Sequence, residues 1–319
     1  MTYILPTRDL DEIVDRSPAI WRALAGQRIF LTGGTGFLGR WVTETLLRAN
    51  ETIGLGAHLS VLSRNPNPLP YDSKLLTRIH GDLLSFTVPP FVSFDSIIHM
   101  AAVSSYPVEP QEMVDTIVDG TRRMLRLAVG RGSVKRFLYM SSGAVYGRGD
   151  TGTFESAHTS NPYADSKRMA ELLCSISDVP CVIARGFSFL GPGMPLDGHF
   201  AVGNFIRDAI AGGPIKISSD GTPSRSYLYC GDLVTWLLKI LVDGKVKQAY
   251  NVGGPACISI VNLAYRIAQK TRCEVVVEGG DAGPSKIADG CRAQEELGLT
   301  QYTSLDEALE RTIAYARAH

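Results

Sequence analysis

Apolar positions along the chain fall into short runs separated by longer segments of helical periodicity. "RIFLTG" (Arg28–Gly33) is a short apolar run ending at glycine, the pattern of a buried strand. "FLGRWVTETLLRAN" (Phe37–Asn50) then repeats its apolar residues at helical spacing. "HLSVLS", "SIIHMAA" and "RFLYMSS" are further apolar runs bounded by turn or polar residues. Between the last two, "EMVDTIVDGTRRMLRLAVG" has a helical pattern. An acidic lead-in is helical in pattern from Asp9 to Asp15. Strands separated by helices of this length predict an α/β fold with a Rossmann-type, doubly wound parallel sheet covered on both faces.

From about Phe187 the texture loosens, with Gly and Pro frequent in "FLGPGMPLDGHF", "AGGPIKISSDGTPS" and "NVGGPAC". The expected division is an N-terminal extension over 1–26, a first domain over 27–186 and a smaller, interleaved C-terminal domain over 187–319. Within the last, 228–254 ("LYCGDLVTWLLKIL", "QAYNVGG") again reads as helix and strand and is expected to return to the first domain.

Composition narrows the class. The 319 residues are 45% apolar and 20% charged, which suits one large α/β domain or a large and a small one. Thirty-two basic residues balance 32 acidic ones, so bulk charge gives no reason to expect nucleic acid or an acidic membrane as partner. Six cysteines stand without Cys-x-x-Cys spacing, so neither a metal site nor a disulfide framework is expected. No apolar run approaches the ~20 residues needed to cross a bilayer, and the N-terminus is too acidic for a signal peptide. A cytoplasmic protein is the expectation.

"TGGTGFLG" follows the first strand and opens the first helix. Its Gly33, Gly36 and Gly39 would make a tight turn, admit a pyrophosphate to backbone N–H groups, and permit close helix–strand packing. That predicts dinucleotide binding by the first domain. The fingerprint usually continues with a carboxylate for the ribose 2′-hydroxyl, but "HLSVLSRNPNP" ends its strand with Ser63 and Arg64. An arginine beside a serine suits a 2′-phosphate and favours NADP over NAD, the other reading being a solvated arginine at a strand end. Asp82 in "HGDLLSF" could accept from an adenine amine or be an ordinary loop aspartate. His99, alone at a strand end, reads as structural.

"RFLYMSSGAVYG" delivers Ser141 and Ser142 at the C-terminal end of a strand, where open α/β sheets bind ligands. Farther on, "NPYADSK" puts Tyr163 and Lys167 at i,i+4 on one helix face. Moving a proton on a sugar oxygen as hydride moves requires the phenol, with a pKa of about 10, to fall by some three units. That is roughly 4 kcal/mol, within reach of a nearby ammonium plus a cationic nicotinamide. Ser142 could hydrogen-bond the reacting oxygen.

Taken together, "TGGTGFLG", "HMAA", "SSGAVYG", "YADSK", "RGFSFLGPG", "RSYLYCGDL" and "YNVGG" resemble the landmarks of the extended short-chain dehydrogenase/reductase family, in its nucleotide-sugar epimerase/dehydratase branch. The resemblance runs from about Arg28 to the C-terminus. It implies Ser142, Tyr163 and Lys167 as the catalytic set, with Tyr163 as acid/base. It also implies cofactor contacts at Gly33, Gly36, Phe37, Leu38, Gly39, Ser63, Arg64, Asp82, Leu83, Ala101, Tyr163 and Lys167. Members that dehydrate or decarboxylate sugars keep acidic residues just after the catalytic serine or threonine. Gly143 and Ala144 stand there instead, which disfavours both reactions and leaves hydride transfer, most simply at sugar C4. Reduction of a 4-keto sugar with NADPH is favoured slightly over 4-epimerisation with tightly held NAD. A non-catalytic cofactor-binding regulator would have no need of all three residues.

The resemblance further implies a nucleotide-diphosphate sugar as partner, with Arg225 on its diphosphate and Asn204 beside it, although Asn204 could equally be a helix N-cap. Ser188 stands where relatives usually carry asparagine, and Ser142 would also touch substrate. Lys286 could replace a phosphate-binding arginine of the relatives. Helices over Glu112–Arg131 and Tyr163–Ser177 resemble the pair with which relatives build a four-helix interface, implying a homodimer.

Overall fold

In a computed structural model of the chain the described residues are 3–65, 69–102, 108–147, 161–198, 200–281, 283 and 285–319. Their strands are β1 (Arg28–Thr32), β2 (His58–Ser63), β3 (Leu76–His80), β4 (Ser96–His99), β5 (Arg136–Ser142), β6 (Cys181–Gly186), β7 (Ser188–Leu190), β8 (Ile215–Ser219), β9 (Ser224–Tyr229), β10 (Ala249–Val252), β11 (Cys257–Ser259) and β12 (Val275–Gly280). Seven of them form a parallel sheet in the order β10-β6-β5-β4-β1-β2-β3. The order reverses at β1, whose neighbours are β2 and β4. Ligands of doubly wound sheets bind outside the carboxyl ends of the strands at such a switch point. The expected Rossmann-type architecture is therefore what the chain forms.

Two compact units share the described residues. The first is drawn from Met1–Val145, Ala157–Arg185 and Val234–Tyr250, the second from Tyr146–Ser156, Gly186–Leu233 and Asn251–His319. In the first, Phe30, Ile97, Phe137, Tyr139, Met124 and Ala170 belong to one buried cluster, so strands read as apolar runs are buried on their faces. The lead-in folds as helices Thr7–Arg16 and Pro18–Leu24. It is pinned to helix Phe37–Ile53 by Glu44, a buried carboxylate that accepts from the N–H groups of Ile4 (3.1 Å) and Leu5 (3.0 Å). Arg48 forks onto Asp11 from the same helix, at 2.6 and 3.0 Å.

The helical pattern after Glu112 runs as Pro110–Val114, a wider π turn over Asp115–Asp119, and Gly120–Arg131. The π turn ends where the backbone is in close contact with Leu83. A Cβ on Gly120 would lie 2.4 Å from a Leu83 methyl. In the second unit β11-β9-β7 form one small sheet and β12-β8 another. Helices Ile260–Thr271 and Leu305–Ala318 start at serine caps, Ser259 accepting from the Asn262 N–H and Ser304 from that of Glu307. Among the described residues no helix is long and apolar enough to cross a membrane, and no cluster of His, Cys, Asp and Glu could hold a metal ion.

Candidate active site

The glycine turn lies at the switch point. Gly33 has φ +76°, and a Cβ there would lie 2.9 Å from the Ala101 nitrogen just after β4. A Cβ on Gly39 would sit 2.0 Å from the Gly33 carbonyl oxygen, so this glycine packs the helix against the turn itself. Gly36 is different: a Cβ there would meet only the Gly33 oxygen, at 3.4 Å, ordinary contact that the fold tolerates. It leads helix Phe37–Ile53 without any side chain capping the first-turn N–H groups, which include those of Phe37 and Leu38. Open space at Gly36 and uncapped donors beside it fit a pyrophosphate.

Ser63 meets this turn through a 3.1 Å hydrogen bond with Thr35. Its hydroxyl also donates to the Asn65 carbonyl at 2.7 Å, so it shapes the loop after β2. Arg64 beside it is exposed. The exposed Asp82 carboxylate accepts from the Leu84 N–H at 2.9 Å, holding its own loop, while Leu83 is buried against Gly120. Ala101 donates its N–H to the Thr32 hydroxyl at 3.1 Å.

His99 is buried at the end of β4 with a partner on each ring nitrogen, Thr32 on Nδ1 (2.7 Å) and Thr121 on Nε2 (3.2 Å). Thr121 donates its own proton to the Ile117 carbonyl and so accepts from Nε2–H, while the Thr32 hydroxyl donates to Nδ1. Burial, reinforced by the Lys167 charge, lowers the imidazole pKa to about 3. It is a neutral structural link.

Tyr163 and Lys167 are fixed by the start of helix Pro162–Ile176. Proline occupies the first helical position, and the Asn161 side chain accepts from the N–H groups of Tyr163 (3.1 Å) and Ala164 (3.2 Å). Lys167 is 2% exposed. Its Nζ donates to the Met140 carbonyl at 2.7 Å and lies 4.9 Å from the Tyr139 ring centre and 5.9 Å from that of Tyr163. Burial lowers its pKa to about 8, opposed by Glu171 and Cys174. Burial also raises the Tyr163 phenol, opposed by a hydrogen bond from Ser142. Ser142 ends β5, and its hydroxyl accepts from the Ala144 N–H at 3.2 Å in the 3₁₀ turn Gly143–Tyr146. The structure thus brings Ser142, Tyr163 and Lys167 together. It adds Glu171, one helical turn past Lys167, which the motif reading passed over although Tyr163, Lys167 and Glu171 keep one i,i+4 spacing.

In the second unit Arg225 on β9 pairs through its backbone with Lys286 in an isolated parallel bridge. The Lys286 N–H donates to the Ser224 carbonyl at 2.8 Å, and the Ser226 N–H donates to that of Lys286 at 3.2 Å. Partial desolvation and then the Arg225 charge lower the Lys286 ammonium, although much of its side chain is exposed. Ser188 opens β7 and aligns with Tyr227 of β9, so it shares a sheet with Arg225. Asn204 is not a cap: helix Ala201–Ile210 is led by Phe200, and the Asn204 N–H already donates to the Phe200 carbonyl at 3.1 Å. Its side chain accepts from Arg207 at 3.3 Å. His199 lies outside the described residues.

A switch-point glycine turn with a serine–tyrosine–lysine cluster at the strand ends defines a dinucleotide-type α/β protein of the short-chain class. Residues 29–253 match the NAD dependent epimerase/dehydratase family, and the chain belongs to it. It is 29% identical over 308 residues to UDP-glucuronic acid decarboxylase 6 of Arabidopsis thaliana, covering 89% of this chain and 87% of the relative. Among solved structures it is similar to UDP-glucose 4-epimerase of Thermotoga maritima with UDP-glucose, at TM-score 0.77, 22% identity and 91% and 99% coverage, a likeness of fold. It is also similar to MoeE5 in complex with UDP-glucose and NAD, at TM-score 0.76, 26% identity and the same coverage.

Proposed function

We propose that the protein transfers hydride at C4 of a nucleotide-diphosphate sugar, with Tyr163 moving the proton, and that its net reaction is reduction of a 4-keto sugar. The observation that carries this is the placing of Tyr163 and Lys167 on one capped helical turn beside Ser142. Burial alone raises the Tyr163 phenol, so ionisation needs positive charge close by. Lys167 supplies it from beneath the ring, and Ser142 donates to the developing phenolate or to the sugar oxygen. A bound nicotinamide dinucleotide would supply the hydride. The glycine turn with Phe37, Leu38 and Ala101 would hold it, Asp82 and Leu83 would flank its adenosine end, and Arg64 favours a 2′-phosphate and hence NADP.

The acid that dehydration and decarboxylation would need just after the catalytic serine is absent from this sequence. Gly143 and Ala144 carry no group able to move a proton, so dehydration is disfavoured, and so is decarboxylation despite the similarity to a decarboxylase. In the second unit Arg225 and Lys286 provide the cations for a diphosphate, with Ser188 and Asn204 as polar contacts. A second reading, 4-epimerisation with retained NAD, is favoured by the similarity to MoeE5 with its NAD and UDP-glucose. Denaturing the purified protein and chromatographing what it releases separates the two. Empty protein that binds NADPH much more tightly than NADH supports the reductase, whereas NAD retained near one per subunit overturns it in favour of the epimerase.

The same helix supports a homodimer. Met169, Leu172 and Ile176 form a stripe at helical spacing, and their exposures of 49%, 59% and 69% are unusual for large apolar side chains. Sedimentation equilibrium should return twice the chain mass, and Leu172→Glu should return the chain mass. A monomeric wild type would refute the dimer.

A further inference from the structure

Three consecutive residues of β5 are joined to three residues spaced four apart on helix Pro162–Ile176. The Met140 carbonyl accepts from Lys167, the Ser141 hydroxyl donates to Glu171, and Ser142 hydrogen-bonds Tyr163. Glu171 is the last of the three and is buried, though less deeply than Lys167. Arg185, from β6, forks onto it with Nε 2.9 Å from Oε1 and Nη2 2.6 Å from Oε2. The two side chains are only 14% and 11% exposed. A fork of this geometry fixes the carboxylate in place and opposes its charge.

We propose that Glu171, with Arg185 as its counter-charge, is a positioning residue for Lys167: the pair sets how much negative charge faces the buried ammonium and so sets its protonation. The proposal deepens the reading in which the Lys167 charge lowers the Tyr163 phenol, and rests on it.

The surroundings leave this task to Glu171. On the same helix Lys167 faces Tyr163 and Cys174. From β4 comes His99, held neutral by its two threonine partners. From β5 comes the Tyr139 ring, and from β6 come Arg185, held on Glu171, and Cys181, against Cys174. The helical segment 110–131 contributes the uncharged Thr121. Among the described groups that act on Lys167, Glu171 is the one carboxylate, and it favours the charged ammonium against burial.

Because Glu171 and Arg185 have opposite signs, removing either should move Lys167 in opposite directions. Glu171→Gln removes the carboxylate while keeping the Arg185 cation nearby, and should lower the Lys167 midpoint by roughly one unit or more. Arg185→Gln exposes Lys167 to the full carboxylate and should raise it by a similar amount. A purely structural pair would lower stability in both variants without separating the midpoints.

The direct readout is ¹³C NMR of the full chain labelled at lysine Cε, with the Lys167 resonance assigned by its loss in Lys167→Arg. Wild type is expected to titrate near 8. Shifts of opposite sign in the two variants support the proposal. No shift, or shifts of one sign, overturn it. Should Arg185→Gln fail to fold, with its carboxylate left buried and unpaired, the Glu171→Gln/Arg185→Gln double variant takes its place. Its midpoint should lie above that of Glu171→Gln, and an equal or lower midpoint overturns the proposal. The titration needs no substrate. Absence of turnover on nucleotide sugars would therefore count against the proposed reaction while leaving this measurement intact.

Discussion

The two units hold their cations in opposite ways. In the first, Lys167 is buried, its ammonium given a carbonyl, two aromatic rings and a nearby carboxylate. In the second, Arg225 and Lys286 are bridged side by side through their backbones, and Lys286 is partly exposed. The first arrangement is preorganised: its charge is compensated by the protein itself, and the geometry needs no ligand. In the second, the Arg225 charge works against that of Lys286, and an anion bound there would relieve that cost. On the proposed reading, the difference separates a site that moves a proton from one that grips charge.

The sharpest way to break this comparison is to remove the proton carrier alone. Tyr163→Phe keeps the ring near Lys167 and deletes only the hydroxyl. Turnover should fall by about 10²–10⁴-fold, the range of a lost general acid/base. Dinucleotide affinity should stay within a few-fold, because the glycine turn is untouched. Measuring kcat beside dinucleotide binding by fluorescence tests both statements. A variant that turns over at wild-type rate would show that the first unit's preorganised cluster is not the proton carrier.

What the sequence made legible follows the same divide. Strands β1, β2, β4 and β5 announce themselves as apolar runs because a parallel sheet buries both their faces. Tyr163 and Lys167 are legible because their relation is local, one turn apart behind an Asn-Pro cap. The link from Glu171 to Arg185 joins residues 14 apart on a helix and a strand, so it depends on packing that periodicity does not encode. The second unit was harder still. Its β7 and β11 have three residues each, too few for a periodic signal, and β9 gathers partners from distant parts of the chain. Asn204 shows the local failure, since a polar residue near a helix start reads as a cap until the helix proves to begin at Ala201. The π turn over Asp115–Asp119 was equally silent, because the apolar periodicity of the segment does not report a local widening of the helix.

A smaller effect sharpens the comparison from the other side. Arg225→Gln and Lys286→Gln should each weaken binding of a nucleoside diphosphate, with UDP as the probe, by roughly tenfold or more, the loss expected for a charge-assisted hydrogen bond. Dinucleotide affinity should not change in either. The Arg225 charge contributes to lowering Lys286, so in wild type UDP affinity should begin to decline with rising pH below the ordinary lysine range. Removing Arg225 raises the Lys286 midpoint, so in Arg225→Gln the remaining affinity should persist to higher pH. Calorimetric titration with UDP across that range reads both effects. If the two variants bind UDP as wild type does, the paired cations serve the fold of the second unit, and its anion site must be sought on other residues.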